Sequence, residues 1–362
     1  MREVRHMSGF IVAPGEVIKE YLDARGLSQK EVCKRLGVSE KHLSNMLNGK
    51  TRLTEEMALK LEKIMPDVPA SFWLNYEVKY QEYLAREREE HEIEGLDLKD
   101  IAKRFNFREV FRGAGMTLTE QALAMLKILG ISSFDRYPYA IPANMEYMQD
   151  GGEPESVVVW IKLCDQEIDI QNADLTEPPY SEKELRSMLG MLKDVALNTN
   201  IEESINSCRN LLNMAGVYLV YHPEVGKPKI RGALGKHNGH PVIYISGRFK
   251  THADIWFAIA HEIMHLLEHY DPKQVQFLMD KSEEPAVKSS AEKDDEANRL
   301  ARKFFIDECE YDNFVEAKDF SSAAVRDFAA SQNVAPGIVV AFLQHDRRLG
   351  YQQLNYLKSR MN

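Results

Sequence analysis

Two histidines four residues apart, His261 and His265 in Trp256-Phe-Ala-Ile-Ala-His-Glu-Ile-Met-His-Leu-Leu-Glu-His269, constrain this chain more than any other feature. On an α-helix they share a face, near enough to grip one metal ion, and Glu262 between them can reach a water held there. Ile255, Phe257, Ile259, Ile263, Met264, Leu266 and Leu267 predict that this helix sinks into a core, which dries and fixes a metal site. A core helix with incidental histidines is the plain alternative, so a third ligand decides between them. His269 continues the spacing, but eight residues at about 1.5 Å each set it roughly 12 Å along the axis from His261, too far for one ion with bonds of about 2 Å. A supporting or structural role suits it better.

The third ligand is expected downstream, in Glu292-Lys-Asp-Asp-Glu-Ala-Asn-Arg-Leu-Ala-Arg-Lys-Phe-Phe-Ile306. Ala297, Leu300, Ala301, Phe304 and Phe305 recur at three- and four-residue steps and predict a second amphipathic helix. A carboxylate in its first turn would face inward. Glu296, one turn before Leu300, fits best, with Asp294 the alternative; the same acids also suit a helix N-terminus through its dipole. The expected metal ligands are therefore His261, His265 and Glu296.

These residues resemble the ImmA/IrrE zinc metallopeptidases. The approach is similar too: Gly216-Val-Tyr-Leu-Val-Tyr221 and Pro241-Val-Ile-Tyr-Ile-Ser246 read as strands, with Lys236-His-Asn238-Gly239 as the turn between a second strand and the third. Leu300, where an aromatic is usual, and Asp307, where a proline often ends the helix, depart from the pattern. The resemblance implies an α+β zincin-like domain with a small sheet before the metal-binding helix, whose edge, here drawn from residues 228–246, accepts extended polypeptide. It also implies Zn2+ with an open fourth position, where the pKa of a water falls from near 16 to about 7. Glu262 would take the proton of that water as catalytic base and deliver it to the leaving amine. His222, His237, His240 and His252 are further candidates for supporting or substrate contacts, although a lone histidine is more often structural.

The amino end makes a separate statement. Pro14 to Gly26 reads as a helix with a start and a stop. Ser28, with Glu31 three residues on, caps a second helix ending at Leu36; Gly37-Val38-Ser39 then turns into a third, Glu40 to Leu47. Two short capped helices joined by a glycine-led turn are a helix-turn-helix. Lys41, His42, Ser44 and Asn45, behind the cap Ser39, would face a major groove; Gln29 would meet a phosphate, and Lys50 and Arg52 would add charge. This part resembles the XRE-type helix-turn-helix of the HigA/VapI antitoxin branch, a match carried further by Asn48 to Glu62 and Pro69-Ala-Ser-Phe-Trp-Leu-Asn75. Such modules read paired half-sites, so a homodimer is expected, with Phe72-Trp73-Leu74 either a dimer contact or the closure of the domain core.

Charge agrees with this division. Residues 1–65 carry a balance of +3 within a chain of −10, leaving the remainder acidic and repellent to nucleic acid. The absence of a long apolar run and of an apolar leader after Met1 predicts a cytoplasmic protein, and four scattered cysteines indicate neither a disulfide framework nor a cysteine metal site. The expected architecture is multidomain and mainly α: residues 1–95 a helix-turn-helix domain with a charged linker helix, 96–215 a helical module interrupted by proline- and glycine-rich stretches at 138–155 and 174–180, and 216–362 the peptidase-like domain. The expected function is a DNA-binding regulator or antitoxin whose zinc endopeptidase cuts a protein partner (a toxin, a repressor or itself). The alternative is a regulator whose peptidase-like domain only binds that partner.

Overall fold

Capping residues near the amino end set where each helix begins. α1 (Pro14–Ala24) starts on a proline, which is preset for a first helical position. Ser28, Ser39 and Thr54 each accept a hydrogen bond from the backbone N–H three residues on, and so start α2 (Gln29–Leu36), α3 (Glu40–Leu47) and α4 (Glu55–Ile64). Gly37 ends α2 at a φ of 66°, a left-handed conformation that costs glycine nothing, and the chain turns there into α3. α5 (Ala70–Glu94) follows and contains the charged run. Ile18, Val32, Leu43, Leu61 and Trp73 are fully buried in one core. Trp73 packs edge-on against Tyr21, 5.3 Å between ring centroids. It closes that core, whereas Phe72 beside it stays 40% exposed.

This computed structural model describes residues 12–140, 153–171, 175, 179–248, 251–270, 276–279 and 288–360. The opening residues and most of the proline- and glycine-rich stretches named above lie outside that set. The chain divides into two units, Met1–Leu98 and Lys99–Asn362. The first unit contains α1 to α5.

The second unit is built around a sheet. α6 (Leu98–Arg104), α7 (Phe107–Val110) and α8 (Leu118–Leu129) precede α9 (Pro154–Gln171), then α10 (Glu182–Ser187), α11 (Leu189–Val195) and α12 (Ile201–Met214). β1 (Tyr218–His222), β2 (Ile230–His237) and β3 (His240–Ser246) come next, and Asn238-Gly239, both at positive φ, form the tight turn between β2 and β3. α13 (His252–Glu268) is the metal-motif helix; β4 (Gln276–Met279), α14 (Lys288–Phe305), α15 (Glu308–Ala317), α16 (Ser322–Ser331) and α17 (Pro336–His345) complete the order.

The strands lie in the order β1-β3-β2-β4, with β1 parallel to β3 and the other pairs antiparallel. This corrects the expectation of an edge within residues 228–246. β2 and β3 are both interior strands, because β4, which follows the metal helix, pairs along β2. Gln276-Phe-Leu-Met279 is too short to show any alternation, so its sequence carried no strand signal.

Residues 96–215 are not a separate module. Val157, Trp160, Ile161, Cys164 and Ile168 of α9 cover one face of the sheet, meeting Tyr218, Val220, Val242 and Tyr244. The Trp160 indole N–H donates to His222 O, and the Tyr244 hydroxyl donates to Asp165. Leu185, Leu192, Cys208 and Leu212 from α10–α12 pack on the opposite face, in the same core as Leu219, Leu234, Ile243 and the apolar residues of α13. The sheet thus has helices on both faces, which explains why its central strand β3 is buried along its whole length.

Candidate functional site

α13 is almost wholly enclosed, with His261, Glu262 and His265 all buried. Thr251 caps it, and the sheet beneath and α14 beside it hold the motif face in place. Four residues of helix bring the rings of His261 and His265 to 4.5 Å between centroids. α14 turns Ala297, Ala301 and Phe305 into the core, each with no exposure. Asp294 continues that face one turn earlier, and its Oδ1 lies 3.2 Å from His265 Nε2. One ligand atom each from His261, His265 and Asp294 falls within 4.8 Å of the other two.

The geometry therefore favours Asp294 over Glu296 as the acid beside the two histidines. Two residues at about 100° each carry Glu296 some 200° round the helix from Asp294, off the buried face. Its side chain is 48% exposed against 18% for Asp294. Glu296 instead meets His269, with Oε2 3.1 Å from Nε2. The phase of Ala297, Ala301 and Phe305 was the signal that could have selected Asp294 from the sequence.

Glu262 is 1% exposed, and its Oε1 has no hydrogen-bond partner among the described residues. Burial, with a smaller contribution from the Asp294 charge, pushes its carboxyl well above the usual carboxylate range. Its room comes from Gly232 on β2: a Cβ there would lie 2.5 Å from Glu262 Oε1 and 2.9 Å from Cγ. The register of β2 against β4 slips beside this glycine, between Ile230 and Gly232. Sequence reasoning missed Gly232, since nothing local marks a glycine that faces another element.

The donor set, two imidazoles and a carboxylate, is one that zinc accepts in hydrolytic sites, and the clustering of the three atoms fits one ion. The other histidines are engaged elsewhere. His240 Nδ1 contacts Gly216 O, His222 Nδ1 contacts Pro223 O, His237 Nε2 contacts the Asn238 amide, and His252 Nε2 contacts Asn198 O.

In the first unit Gln29, Ser39, Lys41, His42, Lys50 and Arg52 are exposed, while Ser44 and Asn45 are half-buried on α3. The Ser39 hydroxyl is used as the cap of α3, and Ser44 Oγ accepts from the Asn48 amide. Of the other residues of α3 expected at base edges, Lys41 and His42 are exposed and Asn45 is half-buried.

Two family models match the chain: a helix-turn-helix model over residues 18–73 and an IrrE N-terminal-like domain model over residues 213–335. Virulence-associated protein A of Dichelobacter nodosus is 38% identical over 68 residues, covering 18% of this chain and 67% of its own length. Virulence-associated protein A' of the same organism is 39% identical over 67 residues, 18% of this chain and 58% of the relative. Antitoxin HigA-1 of Vibrio cholerae is 37% identical over 65 residues, 18% and 60% respectively. The chain thus spans roughly three-fifths to two-thirds of the length of these relatives. No solved structure is a significant match. No helix among the described residues is long and apolar enough to cross a membrane.

Proposed function

Because the chain belongs to the helix-turn-helix regulators through its first unit and carries an IrrE N-terminal-like domain in its second, we propose that it binds a double-stranded DNA operator as a homodimer and cleaves a protein partner at a zinc-dependent endopeptidase centre. The convergence of His261, His265 and Asp294 beside the buried Glu262 carries this reading. Zinc at these three residues would supply Lewis acidity to the scissile carbonyl and to water. Glu262 takes the proton of the attacking water and hands it to the leaving amine. Its dry setting raises its proton affinity, which favours its taking that proton. The likeness to an antitoxin supports a regulatory setting in which the cleaved partner is a toxin, a repressor or the chain itself.

The test is metal content by mass spectrometry on purified, zinc-reconstituted protein. One zinc per chain is expected in the wild type and in Glu296→Ala, with loss in Asp294→Ala. A wild type that takes up no zinc refutes the centre. Glu262→Gln should retain zinc and operator binding while abolishing cleavage of the partner; unchanged regulation in that variant would make the domain a binding module instead.

A further inference from the structure

Beyond the three residues that converge, the structure holds a chain of contacts leading away from them. His265 presents Nε2 to Asp294 at 3.2 Å and Nδ1 to His269 Nδ1 at 3.4 Å. His269 in turn presents Nε2 to Glu296 Oε2 at 3.1 Å, with its side chain only 9% exposed. We propose that His269, oriented by Glu296, is a positioning residue that sets the ring angle and proton placement of His265 for metal binding. The proposal rests on the zinc reading above and names residues that would not touch the metal.

Proton placement follows from the contacts. A carboxylate only accepts, so the His269 nitrogen facing Glu296 carries the hydrogen, and a neutral ring then leaves Nδ1 bare. Bare Nδ1 accepts from His265 Nδ1–H. That assignment strips His265 Nε2 of its hydrogen and leaves a lone pair facing the Asp294 carboxylate at 3.2 Å. In that arrangement the lone pair and the carboxylate would both be available to one metal ion. A histidine that ligates through one nitrogen while donating from the other to a fixed acceptor is oriented and made more basic, and loss of such a partner commonly weakens metal binding about 10- to 100-fold. The position of His269 at the C-cap of α13 supplies the rigidity, since its own backbone N–H is bonded to His265 O at 2.8 Å.

The experiment is a zinc competition titration of the full-length protein against a chromophoric chelator, with the cobalt-substituted spectrum as a second readout. His269→Ala should weaken zinc binding about 10- to 100-fold and shift the cobalt ligand-field bands, with the fold intact by circular dichroism. His269→Asn, whose Oδ1 can replace Nδ1 as the acceptor, should recover most of that affinity. Glu296→Ala should lose several-fold, and Glu296→Gln, which still accepts from Nε2–H, should stay near wild type. Wild-type affinity in His269→Ala overturns the proposal. Equal losses in the Ala and Asn variants also overturn it, reducing His269 to packing. Failure of the wild type to bind zinc is a different result: it refutes the centre itself and takes this proposal with it.

Discussion

Gly232→Ala, alone and combined with Glu262→Ala, tests whether β2 was cleared to make room for the proposed base. A Cβ at 232 would sit 2.5 Å from Glu262 Oε1, 2.9 Å from Cγ and 3.0 Å from Cδ, so the two closest contacts are shorter than real Cβ atoms tolerate and the third is at that limit. Glu262 is buried beneath the sheet and cannot swing into solvent. Overpacking of this kind costs about 1–3 kcal/mol. For a unit of this size, each kcal/mol lowers the unfolding midpoint by about 2–4 °C, which predicts a fall of about 2–12 °C. All three contacting atoms belong to the Glu262 side chain beyond Cβ, and Glu262→Ala removes them. In that background Gly232→Ala should cost almost nothing, giving a coupling of about 1–3 kcal/mol in a double-mutant cycle. Thermal unfolding of the metal-free protein in chelator measures it without any substrate. Gly190→Ala in α11, where a Cβ meets nothing within 4 Å, serves as a control and should stabilise by about 0.5–1 kcal/mol. Equal destabilisation by Gly232→Ala with and without the Glu262 carboxyl would refute the reasoning.

Further outcomes follow from other sites. Gly15→Ala would place a Cβ 2.3 Å from the backbone oxygen of Leu47, and a helix backbone yields less than a side chain, so a loss of about 3 kcal/mol is expected in the first unit; unchanged hydrogen-exchange protection of α1 and α3 would count against that close crossing. Burial holds the His252 imidazole down at about 4, against an ordinary 6.5, despite the opposing contact with Asn198 O. The unfolded chain therefore binds the extra proton between those values, so stability contributed by neutral His252 is complete above pH 6.5 and declines as pH falls toward 4, by up to about 3 kcal/mol. Denaturant unfolding in chelator should show that decline, flattened in His252→Gln; identical slopes would sink the assignment. On DNA, Asn45→Ala or Lys41→Ala should cost about 1–3 kcal/mol selectively at the operator, whereas Lys50→Ala should weaken all sequences alike and reduce the salt slope by about one. Unchanged binding in all three, measured by salt titration, would reject α3 as the recognition helix.

What could be read directly from the residues was short in range. Ser28, Ser39 and Thr54 cap their helices through contacts three residues away, and His261 and His265 meet because one helical turn separates them. Legibility fell where the partner is another element. α9 and α10–α12 are amphipathic, but periodicity says only that a face is covered and not by what, so the sheet they enclose was invisible in residues 96–215. β4 lacked even periodicity. α14 is the sharpest case, because its helical character was plain while the choice between two acids turned on about 200° of rotation. Leu300, the residue used to set the phase, is only partly buried, whereas Ala297 and Ala301 are wholly so. Small residues mark the line of closest approach between packed helices better than large ones do, since a helix can come near only where no side chain holds it off. Taken as the phase marker, the two alanines put Asp294 beside the histidines and leave Glu296 at the flank, within reach of His269. The acid first expected to bind the metal is thereby placed to orient His269, the residue proposed to position His265.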